Sequence, residues 1–211
     1  MRRKYSITDR LISNLDNFVV TVFDKPHGTG RKNPSSDIKE DNLEETNLSE
    51  GLMRVNHCGE VCAQALYQGQ ALTARTSETR DKLLQASLEE NDHLIWCENR
   101  LNELNSRPSI LNIFWYTNSY TIGVFAGALG DKWSLGFLEE TELQVGAHLK
   151  RHLKLLPEND LKSRAIVEQM YTDEMSHANS ANELGAAKLP TPIKIFMKLN
   201  SKVMTSISYY I

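Results

Sequence analysis

Two copies of a short pattern combine a carboxylate with an imidazole at helical spacing. Glu90 lies three residues before His93, and Glu174 lies three residues before His177. Residues three apart share one face of an α-helix, with Cβ atoms roughly 5–6 Å apart, so each pair can direct an oxygen and a ring nitrogen at one point. A further glutamate precedes each pair by about thirty residues; these two are Glu60 and Glu142.

This set of six side chains matches a known way of building a two-metal site in a helical bundle. In di-iron and di-manganese carboxylate proteins, two helices each supply one Glu and two others each supply a Glu-x-x-His pair. The sequence predicts six metal ligands: Glu60, Glu90, His93, Glu142, Glu174 and His177.

Hydrophobic periodicity places three of these glutamates inside apolar seams. The predicted helices around Glu90, Glu142 and Glu174 each carry an apolar seam with the glutamate near its middle. Burying an unpaired charge costs several kcal/mol per ion, so cations are expected where the seams meet. The alternative, a bundle with solvated Glu and His residues, is disfavoured by these positions. The stripe around Glu60 is only partly apolar, and Glu60 is assigned mainly because the arrangement needs a fourth helix.

The spacing of the predicted helices indicates the topology. Four long helices are predicted over residues 49–76, 77–105, 134–156 and 161–184. More than twenty residues connect the second to the third, whereas an antiparallel bundle with short loops needs only a few. One long crossover between two similar halves is typical of ferritin-like proteins. We therefore predict an all-α, ferritin-like four-helix bundle.

The N-terminal residues differ in character from this domain, which is predicted to span residues 48–211. Residues 1–23 predict an amphipathic helix, running from about Ile7 to Phe23. Residues 24–47 contain Pro, Gly and alternating charge, which predict a flexible linker. No signal or transit peptide is expected, because acidic residues interrupt the basic start and no cleavage site follows.

Two apolar segments, the long crossover and the C-terminal tail, indicate what kind of partner the domain binds. Residues 108–130 carry no charge but are too polar for a confident transmembrane span, and their aromatic residues suit a membrane–water boundary. In residues 190–211, Lys194, Lys198 and Lys202 recur beside apolar positions, which predicts a basic amphipathic helix for an anionic membrane surface. The alternative is that these extra helices pack on the bundle or on a second subunit. Either arrangement predicts an apolar channel to the metals.

Charge and cysteine content exclude some classes of protein. The net charge is −3, yet both ends are basic and the middle is strongly acidic. The basic ends lack a recognised nucleic-acid module, so no nucleic-acid partner is expected.

Cys58, Cys62 and Cys97 predict free thiols in a reducing compartment. A redox or metal role for Cys58 and Cys62 is less expected than packing as small apolar residues. His57 is either a partner of the metal ligands or, slightly favoured, an ordinary buried histidine.

Several stretches together resemble the bacterial-type demethoxyubiquinone hydroxylases of ubiquinone biosynthesis. The resemblance runs from about Leu48 to the C-terminus and rests on residues 54–60, 90–96, 107–109, 130–136, 139–142 and 201–205. It implies a membrane-associated di-iron monooxygenase that uses O₂ to hydroxylate the ring of a polyprenylated methoxy-benzoquinol. It also implies two Fe ions per chain, held by the same six residues, and a peripheral location on the cytoplasmic side of the cell membrane. A lipid-presenting accessory protein and a homo-oligomer are further partners to be tested.

The ligand set is consistent with this chemistry. Four carboxylates and two imidazoles are hard donors that suit Fe(II) or Mn(II), whereas zinc and iron–sulfur sites favour thiolates. A second class uses similar ligands without an organic substrate: a ferritin-like iron-binding or iron-oxidising protein. A third is a structural helical adaptor, in which loss of a ligand would change no chemistry. A radical role for Tyr67 is disfavoured, because a tyrosine near a metal site more often packs or donates a hydrogen bond.

Overall fold

The four predicted long helices form the centre of the protein. A computed structural model describes residues 6–40 and 46–211, and within those ranges all regular secondary structure is helical. The helices there are α1 (Ile7–Phe23), α2 (Asn47–Thr73), α3 (Ser77–Glu103), α4 (Asn112–Ala128), α5 (Asp131–Leu155), α6 (Leu161–Glu183) and α7 (Thr191–Ser208). Helices α2, α3, α5 and α6 correspond to the predicted bundle, so the all-α prediction is confirmed.

The bundle core has two apolar layers, one on each side of a polar middle. Helix α2 packs on α3, α5 packs on α6, and α3 also contacts α6. One layer contains Met53, Trp96, Leu101, Leu149 and Met170. The other contains Tyr67, Leu83, Leu135, Leu138 and Ala181. In each of the four helices the predicted metal-binding glutamate lies between the two layers.

Side-chain caps and turn residues set the helix ends. Thr76 Oγ1 accepts a hydrogen bond from Thr79 N at the start of α3, and Asp160 Oδ1 accepts one from Ser163 N at the start of α6. Gly185 follows α6 with φ +88°, a left-handed conformation that suits glycine. Helix α2 begins at Asn47 rather than Ser49, and Ser49 is buried inside it. The predicted ends of the bundle helices are otherwise displaced by three residues or fewer.

Helix α2 is surrounded on most sides, which explains its weak apolar stripe. It packs against α1, α3, α4, α5 and α7. Buried side chains therefore occur around its whole circumference, and several are polar, such as Gln64 and Gln70. A helix enclosed in this way has no solvated face and cannot show the one-sided pattern of a surface helix.

The long crossover is itself a helix, α4, which lies directly on α2. Gly69, Gly123 and Gly127 bring the two backbones together: a Cβ at Gly123 would overlap the Leu66 carbonyl oxygen, and one at Gly127 would lie 2.8 Å from the Gln70 carbonyl oxygen. The opposite face of α4 leaves large apolar side chains exposed, including Phe114 and Phe125. Among the described helices, none combines the length and hydropathy needed to cross a bilayer.

The predicted N-terminal helix is present over its described part, and residues 1–5 lie outside the described ranges. A capping box at Ser6 and Asp9 starts α1. Phe18 and Val22 pack towards Tyr116 of α4, while Leu15 is exposed. The sequence predicts a flexible linker after α1. Residues 24–40 of this segment form no helix, and they contact α3 and α6. Residues 41–45 of the predicted linker are also outside the described ranges.

Candidate metal centre

The structure brings all six predicted ligand side chains together in the polar middle of the bundle. They form two overlapping groups, and within each group one potential ligand atom per residue lies within 4.8 Å of the others. The first group is Glu60, Glu90, His93 and Glu174; the second is Glu90, Glu142, Glu174 and His177. Glu90 and Glu174 belong to both groups. Two carboxylates shared between two ligand sets are what a pair of adjacent cations would require.

The atoms that face the centre of this cluster do not satisfy one another. His93 Nδ1 lies 2.7 Å from Glu90 Oε2 and 3.3 Å from Glu174 Oε1, and His177 Nδ1 lies 3.1 Å from Glu90 Oε1. These contacts do not have hydrogen-bond geometry. The Nδ1 atoms of both histidines are buried without a hydrogen-bond partner among the described residues, and so are carboxylate oxygens of Glu60, Glu90 and Glu174. Buried polar atoms are rarely left in this state. The donor set therefore fits metal ions better than it fits a hydrogen-bonded network.

The outer nitrogen of each histidine contacts a carboxylate from the other half of the bundle. His93 Nε2 donates to Asp173 Oδ2 at 2.9 Å, and His177 Nε2 donates to Glu89 Oε2 at 2.7 Å. Because a carboxylate accepts the hydrogen bond from Nε2, Nδ1 is the nitrogen that faces the cluster and would offer its lone pair to a metal ion on losing its own proton. Bonds of this kind fix the tautomer and the ring orientation of metal-binding histidines.

The electrostatics of the cluster also favour a cation. Burial raises the pKa of Glu60 well above its ordinary value, and the facing carboxylates of Glu90 and Glu174 raise it further. Burial alone would lower the pKa of His177, but the carboxylates of Glu174 and Glu90 raise it to about 12. With all four glutamates ionised, the cluster would carry more buried negative charge than its two histidines neutralise, and this excess is why the pKa values of Glu60 and His177 are raised. Metal ions would supply the missing positive charge.

The choice among three nearby glutamates on α5 follows from their positions. Glu142 is buried in the cluster, and its pKa is raised well above the ordinary value by burial and by Glu174. Glu139 accepts a hydrogen bond from Asn182, and Glu140 pairs with Lys194. The hydroxyl of Tyr67 donates to Glu142 Oε1, so this buried tyrosine fixes a predicted ligand.

Other residues considered from the sequence lie outside the cluster. His57 is buried, its Nδ1 lies 3.5 Å from Asn112 Nδ2, and burial lowers its pKa to about 4. Cys58 and Cys97 are buried free thiols, and Cys62 is a half-buried free thiol. None of these four belongs to either ligand group.

Sequence reasoning missed the two carboxylates that support the histidines. A detectable signal was present, because each immediately precedes the glutamate of a Glu-x-x-His pair: Glu89 before Glu90, and Asp173 before Glu174. Each supports the histidine of the opposite pair. The pseudo-repeat therefore extends to five residues, with an acid at its first position.

A mostly apolar cavity of about 130 Å³ is bordered by two of the helices that carry the cluster, α2 and α5. Its walls come from α2, α4, α5 and α7, and it includes Gly59 and Thr141, the neighbours of Glu60 and Glu142. Ile122, Phe137 and Met204 give apolar contacts, whereas a few side chains such as Asn118, Ser119, Gln144 and Asn200 offer hydrogen bonds. A pocket with this balance suits a largely apolar ligand with a few oriented polar groups.

Comparison with solved structures supports the ferritin-like fold. The dodecameric thioferritin of Bacteroides fragilis, a bacterioferritin-related protein, is similar with a TM-score of 0.51. The match covers 64% of this chain and 84% of that chain at 13% sequence identity. At this identity the likeness concerns the fold alone.

Comparison with protein families and curated relatives is more specific. The family model described as ubiquinone biosynthesis protein COQ7 matches residues 47–208. A Chromobacterium violaceum protein named 3-demethoxyubiquinol 3-hydroxylase is 59% identical, over 95% of this chain and 98% of the relative. Proteins of the same name from Laribacter hongkongensis and Legionella pneumophila are 54% and 51% identical, and both alignments cover at least 96% of this chain and 99% of the relative. The chain therefore belongs to the COQ7 family of ubiquinone biosynthesis proteins.

Proposed function

We propose that this protein is an O₂-dependent di-iron monooxygenase that hydroxylates the ring of a polyprenylated demethoxyubiquinol, a late step of ubiquinone biosynthesis. The observation that carries the proposal is the buried double cluster of glutamates and histidines in a chain whose relatives are named hydroxylases. The relatives favour this function over the alternative of a ferritin-like iron-binding protein without an organic substrate.

The proposed cofactor is a pair of iron ions, one for each ligand group. Glu60 and His93 would serve one ion, Glu142 and His177 the other, and Glu90 and Glu174 both. Carboxylate-rich coordination suits iron, and two iron ions together supply the electrons that make dioxygen reactive towards an aromatic ring. Support for this assignment comes from the unpartnered ligand atoms and from the excess buried negative charge.

The residues around the cluster would hold and orient the ring. The cavity lined by Gly59 and Thr141, which precede Glu60 and Glu142 in the sequence, is the proposed site for the quinol head group. Its walls are mostly apolar, and its few polar side chains would donate hydrogen bonds to ring oxygens or accept them from ring hydroxyls. Its apolar walls would also keep bulk water away from the reacting centre. Tyr67, Asp173 and Glu89 would keep Glu142 and the two histidines in position.

Filling the cavity is expected to weaken quinol binding without removing metal. In the Ile122→Trp variant the added ring occupies the cavity, and KM for a short-chain demethoxyubiquinol should rise about tenfold or more while metal content stays native. Steady-state kinetics in detergent would measure this change. Glu168→Trp introduces the same side chain at an exposed position of α6, a helix that does not line the cavity, and should keep the native KM. A native KM in Ile122→Trp would contradict the proposed quinol site.

The proposed location is the surface of the cell membrane, on its cytoplasmic side. Three helices that pack on α2 leave apolar side chains exposed: Ile12, Leu15, Val19 and Phe23 on α1, Ile113, Phe114 and Phe125 on α4, and Ile195, Phe196, Leu199 and Val203 on α7. Lys198 and Lys202 on α7 are exposed beside them. An apolar face flanked by lysines is suited to an anionic lipid surface, where each lysine contributes about 1 kcal/mol. The cavity between α4 and α7 would then be close to the lipid that carries the substrate.

Membrane binding can be tested with charge variants. The native protein should co-sediment with vesicles that contain anionic lipid at low salt, and Lys198→Gln/Lys202→Gln should reduce the partition coefficient about 30-fold. Lys150→Gln/Lys154→Gln removes the same charge at the same spacing from exposed positions of α5 and should bind as the native protein does. Failure of the folded native protein to co-sediment, or equal loss in both pairs, would refute the proposed surface.

A further inference from the structure

The segment between α1 and α2 makes specific contacts with the helices that carry the metal cluster. We call residues 25–40 the N-terminal strap. The strap lies outside the residues that the family model matches, which begin at 47. It is attached at two places. Near its end, Glu40 accepts hydrogen bonds from Arg100 of α3 at 2.7 Å and from the Lys162 amide of α6 at 3.0 Å.

The second attachment is next to the cluster, and it centres on Asp92. This carboxylate is almost fully buried although it belongs to neither ligand group. It accepts hydrogen bonds from Thr29 N at 2.9 Å, from the Thr29 hydroxyl and from Arg31 Nε at 2.8 Å. Gly28 packs so closely that a Cβ there would overlap the Asp92 side chain. A buried carboxylate satisfied by three donors from one segment is a specific docking point.

Arg31 connects this docking point to the metal cluster. Its Nη1 donates to Asp173 Oδ2 at 2.7 Å, and the same oxygen accepts the Nε2 proton of His93 at 2.9 Å. The guanidinium also lies 5.1 Å from the centre of the Trp96 ring. Arginine can hold Asp92 and Asp173 at once because its donors form a rigid planar fork.

The corresponding carboxylate in the other half of the cluster is not held by the strap, because Arg31 contacts Glu89 at its main-chain carbonyl oxygen, 3.5 Å from Nη2, and not at its side chain. Glu89, which accepts from His177, receives a further side-chain hydrogen bond from Gln85 on its own helix, one turn earlier. The strap therefore distinguishes two otherwise similar histidines. Among the described residues, a cation from a distant part of the sequence holds Asp173, the carboxylate that contacts His93, but not the side chain of Glu89.

We propose that the N-terminal strap is part of the metal centre, and that Arg31 is a positioning residue that holds Asp173 against His93. The orientation of the His93 ring, and hence metal affinity in the first ligand group, depends on this contact. The second ligand group does not depend on it. This inference rests on the proposed metal centre.

The test measures how the metal-free protein binds Mn(II), with calorimetry and electron paramagnetic resonance as the two readouts. The native protein should bind two ions. Arg31→Gln should weaken one of the two binding steps about tenfold and leave the other native. A loss of this size is usual when a residue that supports a metal ligand through hydrogen bonds is removed. Lys32→Gln, which removes the same charge from the next residue, should bind Mn(II) as the native protein does, because Lys32 pairs with Asp37 of the strap itself and contacts neither Asp92 nor Asp173.

A double-variant comparison separates positioning from general stabilisation. If Arg31 acts through Asp173, then Arg31→Gln/Asp173→Asn should bind Mn(II) no more weakly than Asp173→Asn alone. Additive losses, equal weakening of both steps, or native binding by Arg31→Gln would each overturn the inference. Arg31→Lys keeps the charge without the fork and should show an intermediate loss in the same step, even if Arg31→Gln fails to fold. Failure of the native protein to bind Mn(II) would instead overturn the metal centre itself.

Discussion

Replacing Glu174 by alanine is expected to remove most of the bound metal and nearly all ring hydroxylation. Glu174 is buried and belongs to both ligand groups, so its loss removes an anionic donor from each proposed ion. Loss of a residue that only hydrogen-bonds to a metal ligand already lowers metal affinity or activity about 10–100-fold. Loss of a ligand shared by both ions should therefore lower activity by about 1000-fold or more. Metal content should fall from about two ions per chain to less than one, measured by atomic emission after Fe(II) loading.

Loss of the Glu174 charge should not unfold the metal-free protein. Glu174 raises the pKa of both Glu60 and Glu142, which means that it repels their ionised forms. Removing it relieves that repulsion but also removes a carboxylate that raises the pKa of His177, so the two effects oppose each other. Thermal unfolding of the metal-free isosteric variant Glu174→Gln, which leaves no cavity, should therefore occur near the native temperature. Glu168→Ala, at an exposed position of the same helix, should keep native metal content and activity. Full activity in Glu174→Ala would refute the assigned centre.

Replacing Gly123 by alanine should produce a large loss of stability from a single methyl group. The added Cβ would overlap the backbone of Leu66, which cannot move aside as a flexible side chain could. Helices α2 and α4 would have to separate, at a cost of about 3 kcal/mol in the free energy of unfolding. Chemical denaturation monitored by circular dichroism would measure the loss.

Gly59→Ala is the matched control for that substitution. Gly59 also lies within α2, but a Cβ there would meet no atom of the described chain within 4 Å. Alanine is the better helix former, so this variant should gain up to about 1 kcal/mol. Equal losses in the two variants, or no loss in Gly123→Ala, would contradict the proposed role of close α2–α4 contact.

Local pattern was sufficient to predict which glutamates on the amphipathic helices the structure brings together. Glu90, Glu142 and Glu174 lie near mid-helix in apolar seams, and the structure buries all three in one cluster. The same criterion separated Glu142 from Glu139 and Glu140, which are the neighbours that lie outside the cluster. Helical spacing determines which side chains share a face, so it can be read without knowledge of the partners.

Features that depend on contacts between distant segments were not predictable in this way. Helix α2 has no clear stripe because neighbours surround it, and the pairing of Gly123 with Leu66 depends on where α4 docks. Asp173 and Arg31 are 142 residues apart in sequence, and neither has a local pattern that reveals their contact. A composition rich in Pro and Gly predicts an irregular segment but not the surface on which it lies.

The most direct measurement is the fate of labelled dioxygen. Protein loaded with two equivalents of Fe(II) would be mixed anaerobically with a short-chain demethoxyubiquinol, exposed to ¹⁸O₂ and analysed by mass spectrometry. The account predicts a product that carries one labelled oxygen atom on the ring. Oxidation of the iron with recovery of unhydroxylated quinol would contradict it and would favour an iron-oxidising protein of the same fold.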